Sequence, residues 1–114
     1  MLVQRFALSG RGTLSGAGGI TLALNGPPAW WRYEISTVVV TCPPNAGNRP
    51  TALVYRGSIT QATLLGQSRA ADAVTFQGAP GDVLLPGDQL IVVIAGALPG
   101  GIAVVNCYGE QIPA

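Results

Sequence analysis

The chain has 114 residues, 48% of them apolar and only 10% charged, which suits one domain with a real core. A net charge of +1 lacks the basic footprint of a nucleic-acid binder. The absence of histidine and lysine rules out Ser-His-Asp, Cys-His, Ser-Lys and Schiff-base chemistry, so the chain reads as no enzyme.

Charged residues usually make up roughly a quarter of a soluble domain. A surface with so few is poorly defended against association, and we read much of it as covered by other protein, in a homo-oligomer or larger assembly. The 16 glycines and 9 prolines are spread along the chain as punctuation. Short β-rich runs between them predict an all-β fold, a two-sheet antiparallel β-sandwich, jelly-roll- or Ig-like, with about seven or eight strands. Residues 1–114 form one such domain, with a flexible glycine-rich segment at 10–19 and a short tail at 110–114.

A first strand is predicted over 3–9, with Gln4, Phe6 and Leu8 on one face and Val3, Arg5 and Ala7 on the other. Segment 10–19 reads as a loop or an edge hairpin around Thr13-Leu14. Its glycines invite comparison with a phosphate-binding loop, but a strand follows it where such a loop needs a helix, and no Gly-Lys-Ser/Thr is present. Ile20, Leu22 and Leu24 then alternate with Thr21, Ala23 and Asn25, the pattern of a half-buried strand.

Residues 30–42 carry the strongest strand chemistry, bounded by Asn25-Gly26-Pro27-Pro28 and Pro43-Pro44-Asn45, and are read as the central strand. Regular alternation puts Trp31, Tyr33, Ile35, Thr37 and Val39 on one face, and Arg32, Glu34, Ser36, Val38 and Val40 on the other. Val38-Val39-Val40 is apolar on both sides. Either the strand becomes buried on both faces or a bulge lies near Thr37. Trp30 and Trp31 cannot share a face, so Trp31 is expected in the core and Trp30 at a rim or interface, with Arg32 on the wet face beside it.

Residues 43–50 read as loop and 51–57 as strand. Segment 58–66 is ambiguous, with a capped helical turn ending at Leu64-Leu65-Gly66 as one option; 67–72 reads as surface loop, and Val74-Thr75-Phe76 as a short strand. Pro86-Gly87 suits the centre of a type II turn. The strand after it, 89–96, is apolar on both faces, so it is central or meets a neighbouring subunit, and Ile91 and Val93 are candidate contacts. Leu98-Pro99-Gly100-Gly101 leads into a last strand over 102–109, and adjacency predicts a hairpin between these two strands. The tail 110–114 is loose or docks on another chain.

Little of this carries chemistry. Asp82 and Asp88 flank one turn, as loose Ca²⁺ ligands or, more simply, as turn formers. Cys42 and Cys107 fit no zinc pattern and form either a disulfide, if their strands meet, or two buried thiols. No cofactor, metal, nucleic acid or membrane partner is expected. The first residues show no basic leader before an apolar run, and no apolar stretch approaches the roughly 20 residues of a membrane span, so folding in a cytoplasm is expected.

The second half resembles small virion structural proteins of tailed phages that infect actinobacteria. The resemblance runs from Trp30-Trp31-Arg32-Tyr33-Glu34 to Val105-Asn106-Cys107-Tyr108-Gly109-Glu110-Gln111 and is carried mainly by Leu53-Val54-Tyr55-Arg56-Gly57-Ser58 and Leu85-Pro86-Gly87-Asp88-Gln89-Leu90-Ile91-Val92-Val93. It implies a capsid decoration protein that clamps the major capsid protein or other virion proteins, located in the virion and assembled in the host cytoplasm. It brings no catalytic residues. The alternatives are a neck or tail component, or a carbohydrate-binding adhesion module that uses Trp30 and Tyr33.

Overall fold

Nine segments form strands in the computed structural model, which describes residues 4–43, 45, 50–59, 63–69, 73–77 and 82–113. They are β1 (Gln4–Thr13), β2 (Ile20–Asn25), β3 (Trp31–Thr41), β4 (Thr51–Arg56), β5 (Leu64–Arg69), β6 (Ala73–Gln77), β7 (Val83–Leu84), β8 (Gln89–Ala95) and β9 (Ile102–Pro113). One sheet runs β1-β9-β3-β6, with β7 on the same edge of β3 as β6; the other runs β2-β8-β4-β5. All pairings are antiparallel.

The chain doubles back on itself. β4 pairs β5, β3 pairs β6, β2 pairs β8 and β1 pairs β9, and successive strands alternate between sheets except at β4–β5 and β6–β7. Of the two expected sandwich types this is the jelly roll. The expected hairpin between the last two long strands does not form: β8 lies between β2 and β4, and β9 between β1 and β3. Both edges of each strand are taken by other partners, so the connection 96–101 crosses from one sheet to the other.

The core lies between the sheets. Leu90, Val92 and Ile94 of β8 and Ala52 and Val54 of β4 face Val38 and Val40 of β3 and Ala103, Val105 and Cys107 of β9, all nearly fully buried. The inward set on β3 is Tyr33, Ile35, Val38 and Val40. A register shift between Ile35 and Thr37 makes Ser36 a bulge residue and changes the phase of alternation. Val39 is therefore on the outer face and half-buried, and the second half of the strand is not buried on both sides. Trp31 is half-buried and outside the core cluster, because the strand begins there, at the end of the sandwich.

The glycine-rich stretch is part of the architecture. Its first residues continue β1, with Gly10 opposite Val105 and Gly12 opposite Ala103. A Cβ would meet Leu24 Cδ2 at Gly10 and Ile20 Cδ1 at Gly12, each at 2.5 Å, so the missing side chains let the two sheets close on this side. Leu14 is 3% exposed, and its N–H and C=O are bonded to Gly101 and Gly100. Segment 10–19 is thus bonded and partly buried where a flexible segment was expected.

Three other readings change. Leu64, Leu65 and Gly66, in the segment the sequence left ambiguous with a helical turn as one option, begin a strand, and the loop expected at 67–72 is β5 up to Arg69. Glu110, Gln111, Ile112 and Pro113 continue β9 between β1 and β3, so the tail is neither loose nor docked elsewhere. Of the loop expected at 43–50, residues 44 and 46–49 fall outside the described residues, as do 60–62, 70–72, Val3 and Ala114. Among the described residues no helix is long and apolar enough to cross a membrane.

Candidate interaction surfaces

The four residues singled out from the sequence occupy three separate places. Ile91 and Val93 lie on the outer face of the β2-β8-β4-β5 sheet, since Leu90, Val92 and Ile94 point inward. Register places Ala23 and Tyr55 on either side of Ile91, and Thr21 and Leu53 on either side of Val93. Across β2, β8 and β4 the outward residues are Thr21, Ala23, Asn25, Gln89, Ile91, Val93, Ala95, Thr51, Leu53 and Tyr55, with no charge among them. Sequence alternation found the two β8 residues; it missed Leu53 and Tyr55, whose place beside them depends on strand order.

Arg32 lies on the opposite side of the sandwich. Its Nη2 is 3.4 Å from Glu34 Oε1, with both side chains more than 40% exposed. A pair so exposed is worth at most about 1 kcal/mol. Register sets Arg5, Glu110 and Glu34 in one row across β1, β9 and β3, with Ile112 opposite Arg32. A shallow depression of about 260 Å³ lies there, lined by Arg5, Ser36, Tyr108, Gly109 and Glu110. This sheet presents a charged outer face, and the other an uncharged one across β2, β8 and β4.

Trp30 stands at one end, 84% exposed. Its φ of 74° is the only positive value at a non-glycine among the described residues. The Trp31 N–H donates to Pro28 O at 3.3 Å, so Trp30 holds the third position of a turn, where glycine is the usual residue. Keeping a bulky side chain there costs about 1–2 kcal/mol. Tyr33 is 9% exposed and stacks on Phe6 in the core, so it cannot share a sugar-binding groove with Trp30.

The remaining polar candidates have local roles. Asp88 accepts the Leu85 N–H on its carboxylate at 3.0 Å and donates its own N–H to Leu85 O, and Gly87 has φ 90°, which gives the expected Pro86-Gly87 turn. Cys42 and Cys107 are both buried and not joined. Val38 lies opposite Cys107, and four further residues of strand put Cys42 about 13 Å along, beyond the roughly 7 Å a disulfide spans. Burial pushes the Cys107 thiol up to about 12, which keeps it protonated and a poor nucleophile.

No protein-family model matches the sequence, and no curated protein matches it. Among solved structures, the chain is similar to a protein of Bacillus endospore appendages, a family of disulfide-linked pili. The TM-score is 0.55 and the identity 12%, over 97% of this chain and 88% of that one. It is also similar to the Yersinia pseudotuberculosis-derived mitogen, with TM-score 0.50 and 11% identity over 91% of this chain and 85% of that one. At such identities the shared property is the fold.

Proposed function

We propose that this chain is a non-enzymatic structural subunit that holds neighbouring proteins together, and that its specific form is a capsid decoration protein seated on the major capsid protein lattice of a virion. The observation that carries this reading is the charge-free outer face of β2, β8 and β4, centred on Ile91, Val93, Leu53 and Tyr55. Each 100 Å² of such apolar surface removed from water contributes roughly 2.5 kcal/mol before association costs. The lack of histidine and lysine and the protonated, buried Cys107 support a role without catalysis. The resemblance of residues 30–111 to phage virion proteins supports the capsid lattice as partner.

A second reading, a subunit of a surface appendage, is favoured by the fold shared with the endospore pilus protein along almost the whole chain. Immunogold labelling with an antibody to this chain, on particles and cells from its source culture, separates the readings. Label distributed over phage heads is expected. Label on necks or tails, or on cell-surface fibres, overturns the decoration form and keeps a structural subunit. Label confined to dispersed soluble protein overturns both.

A further inference from the structure

The exposed large hydrophobic residues are not scattered. Among the described residues they are Trp30, Ile59, Leu85, Leu98, Ile102 and Tyr108, and only Tyr108 lies on a flank. Trp30, Leu85 and Ile59 belong to the segments that follow β2, β7 and β4, all at one end of the sandwich. Leu98 and Ile102 belong to the β8–β9 crossing at the other end, where Ile102 lies opposite Thr13. We infer that copies of this chain associate head to tail along the long axis, the Trp30–Leu85 end of one against the Leu98–Ile102 end of the next.

Both ends are built in advance. At the first, the Gly26 N–H donates to Asp88 O at 2.9 Å and the Gly57 N–H to Gln89 O at 2.8 Å, which ties three connections together. At the second, the Leu98 N–H donates to Pro43 O at 3.0 Å and the Ala97 N–H to Gly18 O at 3.0 Å. Ends already ordered lose less conformational freedom on binding. The positive φ at Trp30 fits the same reading: the turn stores strain and, in return, holds an indole in solvent, where it contributes nothing to the lone subunit.

Charge favours unlike ends meeting. The half that carries Trp30 holds all four described acids, Glu34, Asp82, Asp88 and Glu110, with three arginines, for a net −1. Among the residues whose side chains are described, the other half holds Arg11 and no acid, for a net +1. The molecule measures 49 × 23 × 22 Å, so an end face covers about 500 Å² per copy, at the lower bound of a specific interface. Two unlike ends make a heterologous contact, which propagates as an open filament or closes as a ring.

This inference rests on the structural-subunit reading, and its test separates the two. Sedimentation velocity across a concentration series is run on the wild-type chain and on Val93→Arg, which disables the sheet face. Val93→Arg is then combined with either Trp30→Gly or Leu98→Asp. The Val93→Arg chain is expected to form short linear oligomers. Either added substitution is expected to weaken that association tenfold or more, on the order of a central interface anchor. A mixture of the two double variants should form one-to-one dimers and nothing larger, because each keeps one intact end. Trp30→Gly should leave thermal stability unchanged or raised, so lost association cannot be ascribed to unfolding. A wild-type chain that assembles while Val93→Arg is monomeric overturns the end contact and leaves the structural reading standing. A mixture without dimers, or a wild-type chain monomeric throughout, overturns it too, whereas the structural reading falls only if the label in the immunogold experiment stays on dispersed soluble protein.

Discussion

Phe6 and Tyr33 stack face to face, with ring centroids 4.1 Å apart and planes 11° from parallel, although β9 runs between their strands. Gly109 of β9, opposite Phe6, makes this possible. A Cβ there would lie 2.6 Å from Phe6 Cε1 and would collide with Glu34 O. The pair closes the core at the end near β1's start, where the aliphatic layer of Val38, Val40, Val105 and Val92 stops.

Phe6→Ala is therefore expected to cost about 3–5 kcal/mol, from lost burial together with the lost ring contact. Gly109→Ala should cost at least about 2 kcal/mol without removing any apolar group, because the backbone of β3 must shift. Urea unfolding of both variants checks this. An unchanged midpoint for Gly109→Ala would show that the strand gives way freely.

Gly18 has φ 77°, and a Cβ on it would collide with Ala97 O, while its own carbonyl accepts the Ala97 N–H. Gly18→Ala combines left-handed strain with a backbone clash, and a loss of about 2–3 kcal/mol is expected. Gly16→Ala, two residues away, meets nothing within 4 Å and should change stability by less than about 0.5 kcal/mol. Thermal melts of the pair separate glycines needed for closure from those that are not.

At Trp30 the expected sign is the opposite. Trp30→Gly relieves the left-handed strain and loses almost no burial, with the greater freedom of glycine in the unfolded chain taking back part of the gain. A net rise of about 0.5–1 kcal/mol in the isolated subunit is expected by urea titration. A loss above about 1 kcal/mol would mean that the indole packs on the fold.

The Cys107 thiol rises from 9.0 to about 12 in the folded chain, because burial disfavours the thiolate. Its contribution to stability is fully present below pH 9.0 and is lost as pH rises toward about 12, since only the unfolded chain ionises readily in that window. Cys107→Ala should flatten the fall of stability with pH in that range, whatever its effect at neutral pH. Native Cys107 should resist iodoacetamide at pH 8 and react on unfolding. Rapid labelling of the native chain would contradict its burial.

Much of the sandwich was legible because alternation is a local signal. Ile20 to Asn25, the inward Leu90, Val92 and Ile94, and the Pro86-Gly87 turn all follow from neighbours in the sequence. What could not be read depended on distant contacts. Whether Gly10 and Gly12 form a loop or a strand is decided by Leu24 and Ile20 on the facing sheet. The partners of β8 and β9 are fixed by the doubled-back ribbon, so adjacency misled. The bulge, one of two alternatives the sequence left open near Thr37, falls at Ser36 and reversed the outward set beyond it, and strand onset at the sandwich end kept Trp31 out of the core. For the surfaces, the sequence pointed to Ile91, Val93 and Trp30, but their separation onto a face and an end, with Arg32 on a third side, required the fold.

The central claim is that copies of this chain associate through the outer face of β2, β8 and β4. Sedimentation equilibrium of the wild-type chain and of Val93→Arg at matched concentrations tests it most directly. The account predicts a wild-type average mass that climbs above the 11.6 kDa of one chain with concentration, and a Val93→Arg mass that falls short of it while the fold is retained. A wild-type mass of 11.6 kDa at every concentration, or a Val93→Arg chain that assembles as fully as the wild type, would contradict it.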